Sequence, residues 1–543
     1  MSLRRFFYSL TALSLMLAAC ARMGRPEGGK KDTVPPKVVA ATPPSGTVNF
    51  HGDKIIIRFD ELIQLDNPLQ KVVFSPPLSK KPVIKPTGYP DRKIEIRFKE
   101  SLRPNTTYTV FFGDAIKDFH EGNVLQNYSY VFSTGPQLDS LRLSGKVVSL
   151  PEGKLPENVI VGLYPVKNFS DSLIYRRPPY YLTKAGMQGR FELRNLAAGD
   201  YYLIAFADEN KNLTYQPGDE RIAFLPKPVH LPSDSAHTLY LFAEPKRFNL
   251  KDIQARSARH WVASFEGDTR GIHPAVPGKT LKDYISGDNQ WHLWIKPVSK
   301  GEKTDFLFLR QGDTLARLRR QVTEQPVDTF VVKWDKNELY PIDSLRLLTN
   351  MPLTRLTSSD GIRITPRHSK DRWRIDRQGL WIFYPAPATG REKIVLEIMP
   401  GTLENFAGLT NPDTLRQTVK LRPVTETGNY TLIWKDRPAG TIVAELTGPK
   451  GEKTVRRQVK ERDSVFVFRY LPPGKYRLRF IIDLNGNGRW DEGSWRERRL
   501  PEPVLFYNKP IEIRARWDLE ETFISRNKKS AGALPAKGFK GMH

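Results

Sequence analysis

The sequence predicts an all-β protein, a tandem row of small sandwich domains, and three observations lead there. Segments that alternate apolar and polar residues, such as Lys54-Ile-Ile-Ile-Arg-Phe59 and Lys93-Ile-Glu-Ile-Arg-Phe98, recur between turn residues, as half-buried strands require. Proline and glycine are abundant, at 43 and 38 residues, and few long stretches carry apolar residues at helical spacing. A chain of 543 residues also exceeds what one hydrophobic core sustains, since cores rarely grow past about 250 residues.

The N-terminal element comes first. Arg4 and Arg5 precede an apolar run from Phe6 to Leu17 that is too short to cross a bilayer, so it reads as a secretory signal. Cys20, the single cysteine, follows Leu17-Ala18-Ala19. Leu-Ala-Ala-Cys resembles the lipobox of bacterial lipoproteins, which implies removal of residues 1–19 and attachment of lipid to Cys20. A lone lipidated thiol leaves no partner for a disulfide and no soft-metal cluster. Residues 20–36, rich in glycine, proline and charge, form a flexible tether. Bacteroidetes-type surface lipoproteins carry an acidic cluster after the cysteine, and Ala21-Arg22-Met23-Gly24-Arg25 has none. That comparison implies an anchor in the outer membrane facing the periplasm, with the cell surface as the alternative.

The first domain, 37–135, places strands near Ile55 to Phe59, Lys71 to Phe74, Ile94 to Phe98, Tyr108 to Phe112 and Tyr128 to Ser133. Its landmarks Pro43-Pro44-Ser45-Gly46, Phe59-Asp60-Glu61, Leu102-Arg-Pro104-Asn-Thr-Thr107-Tyr108, Asp118 with Glu121-Gly122-Asn123, and Tyr130-Val-Phe132-Ser-Thr-Gly135 resemble the bacterial Ig-like domain. The resemblance implies a structural or adhesive module. A tyrosine after such a corner packs its ring while its hydroxyl satisfies nearby backbone.

The second domain, 138–245, returns at 423–523. Phe191-Glu-Leu-Arg-Asn-Leu196-Ala-Ala-Gly199-Asp-Tyr201-Tyr-Leu203 aligns without a gap on Phe466-Val-Phe-Arg-Tyr-Leu471-Pro-Pro-Gly474-Lys-Tyr476-Arg-Leu478. Asp208, Asn210, Asn212, Tyr215 and Gly218 then fall on Asp483, Asn485, Asn487, Trp490 and Gly493, at one offset of 275. This Leu-x-x-Gly-x-Tyr pattern between strands resembles transthyretin-like or carboxypeptidase-regulatory sandwiches. Between the copies, 246–340 reads as a β domain of unknown type. Residues 341–422 echo the first domain as a second Ig-like module, with Leu403-Glu-Asn-Phe406 standing where Ile116-Lys-Asp-Phe119 stood. Residues 524–543 are polar and basic and read as a disordered tail.

Lysine and arginine total 85 against 59 aspartate and glutamate, a net charge of +26. The basic residues are spread along strands rather than clustered with stacking aromatics, which argues against a nucleic-acid partner and for an anionic envelope neighbourhood. No His-Glu-x-x-His or Gly-x-Ser-x-Gly occurs, Gly278-Lys279-Thr280 lacks the upstream glycine of a phosphate loop, and no catalytic residue is assigned.

One loop carries candidate chemistry. Asp483, Asn485, Asn487, Asp491 and Glu492, with Gly488 at the sixth position, present oxygen ligands at the alternating spacing of a calcium loop. The same residues also suit an ordinary hairpin whose Asx side chains bond local backbone. Asp208, Asn210, Asn212 and Asp219 form the weaker copy, with Leu213 replacing the glycine. Tyr215 and Trp490 are expected to pack over their own hairpins. Adjacent carboxylates such as Asp60/Glu61 point to opposite strand faces and make no catalytic dyad. The expected function is a lipid-anchored, non-catalytic scaffold or binding module for envelope protein or glycan partners, requiring no cofactor, with calcium a candidate ligand of the Asp483 loop. The alternatives are an envelope enzyme acting on glycan or peptide between modules, or a carbohydrate-binding lipoprotein.

Overall fold

The computed structural model describes residues 32–126, 128–167, 169–287, 289–296, 299, 301–321, 329–376, 379–385, 390–448 and 454–525. The signal segment, Cys20, most of the tether and the C-terminal tail fall outside the described residues. The fold is all-β, built from tandem β-sandwich modules, and the one α-helix among the described residues is the four-residue turn Pro68–Lys71. Among the described residues no helix is long and apolar enough to cross a membrane. Two compact units divide the chain, one running to Arg142 and including Arg194–Ala198, the other comprising 143–193 and everything from Gly199 onward.

In the first unit, strands Val38–Thr42, Lys54–Leu65, Asp91–Arg97 and Val83–Lys85 form one sheet in that order, and Ile116–Asp118 pairs with the far half of Lys54–Leu65. Val73–Ser75, Thr107–Gly113 and Tyr128–Ser133 form the facing sheet. The alternation decides what fills the gap between them. Ile55, Ile57, Phe59, Ile94, Ile96 and Phe98 all turn inward and are buried, while Arg58, Lys93 and Arg97 face out. The ring of Tyr108 is buried, and its hydroxyl accepts the Arg103 N–H at 2.9 Å, closing the corner.

The second unit contains the second copy of the repeated module and most of the first, and the copies share their strand order except that Arg221–Phe224 also pairs with His237–Ala243 in the first. In the first copy Tyr181–Lys184, Val159–Pro165, Gly199–Ala207 and Arg221–Phe224 make one sheet, with Val229–Leu231 also on Gly199–Ala207. In the second copy Thr454–Lys460, Thr441–Thr447, Gly474–Asp483 and Val504–Phe506 take those places, with Ile511–Ile513 on Gly474–Asp483. The opposing sheets match too. Leu141–Ser149 pairs in parallel with His237–Ala243, as Gly428–Trp434 pairs in parallel with Asp518–Phe523. Tyr201 and Tyr476 both turn into their cores, the latter donating its hydroxyl to the Pro472 carbonyl at 2.7 Å.

Two modules lie between the copies in sequence. In one, the sheet Asn249–Ala255, His260–Glu266, Gln290–Ile295, Leu281–Ser286 faces the sheet Ile272–Ala275, Lys303–Arg310, Asp313–Gln321 across a core that includes Trp261, Phe265, Trp291 and Phe308. In the other, the order Val332–Trp334, Leu345–Thr349, Trp381–Tyr384, Arg372–Ile375 repeats that of the first module's larger sheet. Ile362–Thr365, Lys393–Ile398 and Leu415–Leu421 repeat the smaller one, with Glu338–Leu339 added in parallel on Leu415–Leu421, and Leu353–Leu356 pairs with Leu403–Asn405. Asp118 and Asn405 serve alike, each buried and accepting backbone N–H groups of the turn that follows. The boundary expected at 340/341 moves upstream. Val332–Trp334 pairs with Leu345–Thr349, so the strand assigned by sequence to the preceding module closes the edge of this one.

Candidate functional site

The two Asx loops leave equivalent strands, and their geometry begins with a buried aspartate at each strand end. Asp208 and Asp483 are 1% and 3% exposed. Asp483 Oδ1 accepts the N–H groups of Gly486 and Asn487 at 2.7 and 3.2 Å, and its Oδ2 accepts that of Gly488 at 2.7 Å. Asp208 Oδ1 takes Asn212 and Leu213 at 2.9 and 3.3 Å. The asparagines continue the pattern: Asn485 Oδ1 accepts the Asn487 N–H and Asn487 Oδ1 accepts that of Arg489. Satisfying buried donors this way is what lets an irregular loop sit against a packed sheet end.

A second buried carboxylate supports each loop, and sequence spacing missed both. Glu220 accepts the N–H groups of Glu209 and Gln216 at 3.1 and 2.9 Å. Glu502 accepts those of Leu484 and Asp491 at 2.7 and 3.0 Å. Leu484 and Asp491 are the repeat equivalents of Glu209 and Gln216, so the two glutamates perform one task from non-equivalent positions. The signal in hand was a carboxylate one residue past Asp219, and Glu502 framed by Pro501 and Pro503 just before a strand. Burial pushes the pKa of Asp208, Glu220 and Glu502 above the usual carboxylate range, with Asp208 adding to Glu220, and Asp483 and Asp491 adding to Glu502.

Other expected ligands go elsewhere. Asp219 is exposed and pairs with Lys246 at 2.5 Å, away from Asp208. Glu492 pairs with Arg270, which also holds Asp268 at 2.8 Å and lies 4.0 Å from Asp491. Asp491 stays with the loop, its Oδ2 taking the side-chain amides of Asn485 and Asn487 at 2.5 and 2.6 Å. Among the described residues no three His, Cys, Asp or Glu side chains group as metal ligands. Tyr215 is fully buried and donates to Glu244 Oε2 at 2.7 Å, while Trp490 is half-buried and donates to the Glu502 carbonyl at 2.9 Å. Neither presents a free ring face as a platform.

The residues after the second loop make the contact that matters most. Trp495 is fully buried against the first copy, edge-on to Phe224 with ring centroids 5.1 Å apart and edge-on to Phe169 at 6.3 Å. Its indole N–H donates to the Asp171 carbonyl at 3.2 Å, and its backbone N–H to Glu244 Oε1 at 2.6 Å. Arg498 lies 3.5 Å over the Trp495 ring and pairs with Asp171. Beside it, Leu150 of the first copy packs with Val443, Ile481 and Val504 of the second, joined at their margin by Val148, Tyr240, Trp490 and Phe506. Arg479 adds a hydrogen bond to the Pro151 carbonyl at 2.7 Å. Two copies far apart in sequence are thus one packed pair.

Comparison with known proteins adds the following. Residues 32–134 match the bacterial Ig-like domain. No curated protein matches the chain in sequence. Among solved structures, the major pilin subunit BcpA of Bacillus cereus is 10% identical with a TM-score of 0.16, over 71% of this chain and 99% of that one. SGBP-B of the Bacteroides ovatus mixed-linkage glucan utilization locus, solved with a mixed-linkage heptasaccharide, is 10% identical with a TM-score of 0.18, over 73% and 93%. The S-layer protein SbsC is 10% identical with a TM-score of 0.15, over 82% and 65%. Likeness at this level carries no weight on module arrangement or on activity.

Proposed function

We infer that this protein is a non-catalytic scaffold or binding module of the bacterial cell envelope, lipid-anchored through Cys20 and serving protein or glycan partners. The observation that supports it is the docking of the second repeat on the first through Trp495 and the Leu150 cluster. A braced pair of sandwiches is a rigid mount for display from loops and edge strands. The buried carboxylates of both Asx loops are engaged by backbone N–H groups, which suits holding hairpins rather than turning over substrate. The repeated modules are read as transthyretin-like, and the anchor as outer-membrane, facing the periplasm.

Crosslinking in the native envelope tests the reading: a partner is captured by the wild-type chain, and purified protein leaves cell-wall polymers and polysaccharides unhydrolysed. Turnover of either polymer overturns it. Cys20→Ala is expected to move the protein into the soluble fraction, and protease added to intact cells is expected to spare the wild type.

Calcium at the Asp483 loop is a second reading, favoured by the side-chain amides of Asn485 and Asn487 converging on Asp491 Oδ2 at 2.5 and 2.6 Å. The ligand oxygens would come from Asp483, Asp491 and the amides of Asn485 and Asn487, each amide turned to present oxygen, with Glu492 free to join once released from Arg270. Calcium is expected to raise the melting temperature of the full chain; an unchanged transition in EDTA removes this reading.

A further inference from the structure

The sheet Val332–Trp334, Leu345–Thr349, Trp381–Tyr384, Arg372–Ile375 turns Leu345, Leu347, Trp381 and Phe383 into its core. Strand alternation therefore places a different set on the opposite face, and the register sets their pattern. Arg346 and Arg374 stand on either side of Ile382, Arg372 stands beside Tyr384, and Lys333 beside Leu348. All four cations are exposed.

Ile382 is 3% exposed although it faces outward, and Leu348 is 41% exposed. An outward isoleucine between two arginines is covered by their alkyl stems while the guanidinium heads stay in water. The Arg374 guanidinium leans on Tyr384, 5.8 Å from the ring centroid, and donates to its hydroxyl at 3.3 Å. Among the described residues none of the four cations is in an ion pair. The carboxylates at the strand ends, Asp335 and Asp376, are turned onto backbone, accepting the N–H groups of Arg346 and Leu380 at 2.9 Å each. The corresponding face of the first module is neutralised from within. Glu95 stands there between Ile56 and Lys85, and Arg97 pairs with Glu95 at 3.3 Å and with Asp53 at 3.4 Å.

We propose that the Arg346, Arg372, Arg374 and Lys333 face binds an acidic polysaccharide, one that bears carboxylates on its sugar rings. The proposal gives the glycan-partner reading a site and rests on that reading. Three of the four cations are arginine, whose planar fork matches a carboxylate with two parallel hydrogen bonds. Arg346 and Arg374 are two strand spacings apart, about 10 Å between their backbones, so they engage carboxylates on separate sugars. Ile382, Leu348 and the Tyr384 ring give the C–H faces of those sugars an apolar floor. An acidic peptide fits less well. The backbone of the inner strands is spent in the ladder, so this face leaves a peptide's own N–H and C=O groups unmatched. An anionic membrane also fits less well, because Leu348 is the one large apolar side chain exposed on the described face, too little to anchor in lipid.

The full chain titrated with polygalacturonate at low salt tests it, with neutral dextran as the control. Any chain of net charge +26 attracts a polyanion, so the decisive comparison is between two variants that lose equal charge. Arg346→Gln with Arg374→Gln is expected to weaken binding about tenfold or more, whereas Arg58→Gln with Lys93→Gln, on the first module's face, stays within about twofold of the wild type. Equal loss in the two variants, both melting like the wild type, means general charge attraction and overturns the proposal. So does a wild-type chain that leaves polygalacturonate unbound, or that prefers poly-glutamate or phosphatidylglycerol vesicles to it. Where the glutamine pair fails to fold, Arg346→Lys with Arg374→Lys keeps the charge and removes the forks; binding is expected to weaken severalfold, and unchanged affinity overturns the proposal. These failures strike the site alone, whereas the wider reading fails only if crosslinking captures no envelope partner.

Discussion

The Asp208 and Asp483 loops leave the same strand of the same module, yet they are built from different material. At the two left-handed positions the second copy uses Gly486 and Gly488, at φ of 73° and 76°. The first copy holds Lys211 and Leu213 in nearly the same conformation, at 61° and 63°. For a residue with a β-carbon that conformation costs roughly 1–2 kcal/mol, and the first copy accepts the cost twice. The supporting glutamate also moves, from Glu220 to Glu502, while the backbone groups it satisfies stay equivalent. What the duplicated fold preserves is a set of filled backbone donors, not the residues that fill them. The second copy differs further in sending Trp495 from its loop into its sister.

The largest effect is expected from breaking that asymmetry. Trp495→Ala removes a fully buried ring, a loss of about 3–5 kcal/mol, and thermal melting with limited proteolysis should show the pair separating before either copy unfolds. A melting curve like the wild type's would mean the docking is not what joins the copies.

Glu220→Gln and Glu502→Gln come next. Each places an amide N–H₂ against backbone donors and should cost about 1–3 kcal/mol in denaturant unfolding, and the two losses should be similar because the tasks are the same. A loss at only one would show that the carboxylates are not equivalent.

Exchanging the left-handed residues sharpens the contrast further. Gly488→Leu is expected to destabilise by about 1–2 kcal/mol. Leu213→Gly should return less than that, since glycine costs roughly 0.5–1 kcal/mol in chain entropy. A gain at Leu213 larger than the loss at Gly488 would reverse the assignment of strain.

The smallest effect concerns pH, and it belongs to the first copy alone. His237 begins the parallel strand there, with Nε2 buried and lacking a hydrogen-bond partner, and the second copy begins that strand with Asp518. Burial lowers the His237 pKa below its ordinary 6.5. The unfolded chain therefore binds the proton first, so stability falls as pH drops below about 6.5 and continues to fall until the folded pKa is reached. His237→Phe should flatten that slope in hydrogen exchange of the first copy and leave the second unchanged.

Much of this was legible in the residues. The alternation in Lys54 to Phe59 names the face that packs, and the Leu102 to Tyr108 corner places a hydroxyl on backbone. The repeat register predicted two like modules, and both cores received their tyrosines. Ligand spacing was less informative. Asp219 and Glu492 stood at plausible positions in the chain but found Lys246 and Arg270 instead, because a carboxylate goes to whichever cation the fold brings near. Glu502 was invisible as a loop residue since its partners lie across a hairpin.

The sequence by itself determined the all-β class, the run of sandwiches and the duplication, because strand period, turn chemistry and internal repeats are local properties written into neighbouring residues. Only the tertiary structure decided that the two copies dock, that Trp495 is the plug, and that Arg346 and Arg374 flank Ile382. Those contacts join residues whose separation along the chain says nothing of their distance in space, and burial of apolar surface and pairing of buried polar groups select them only once the sheets have formed.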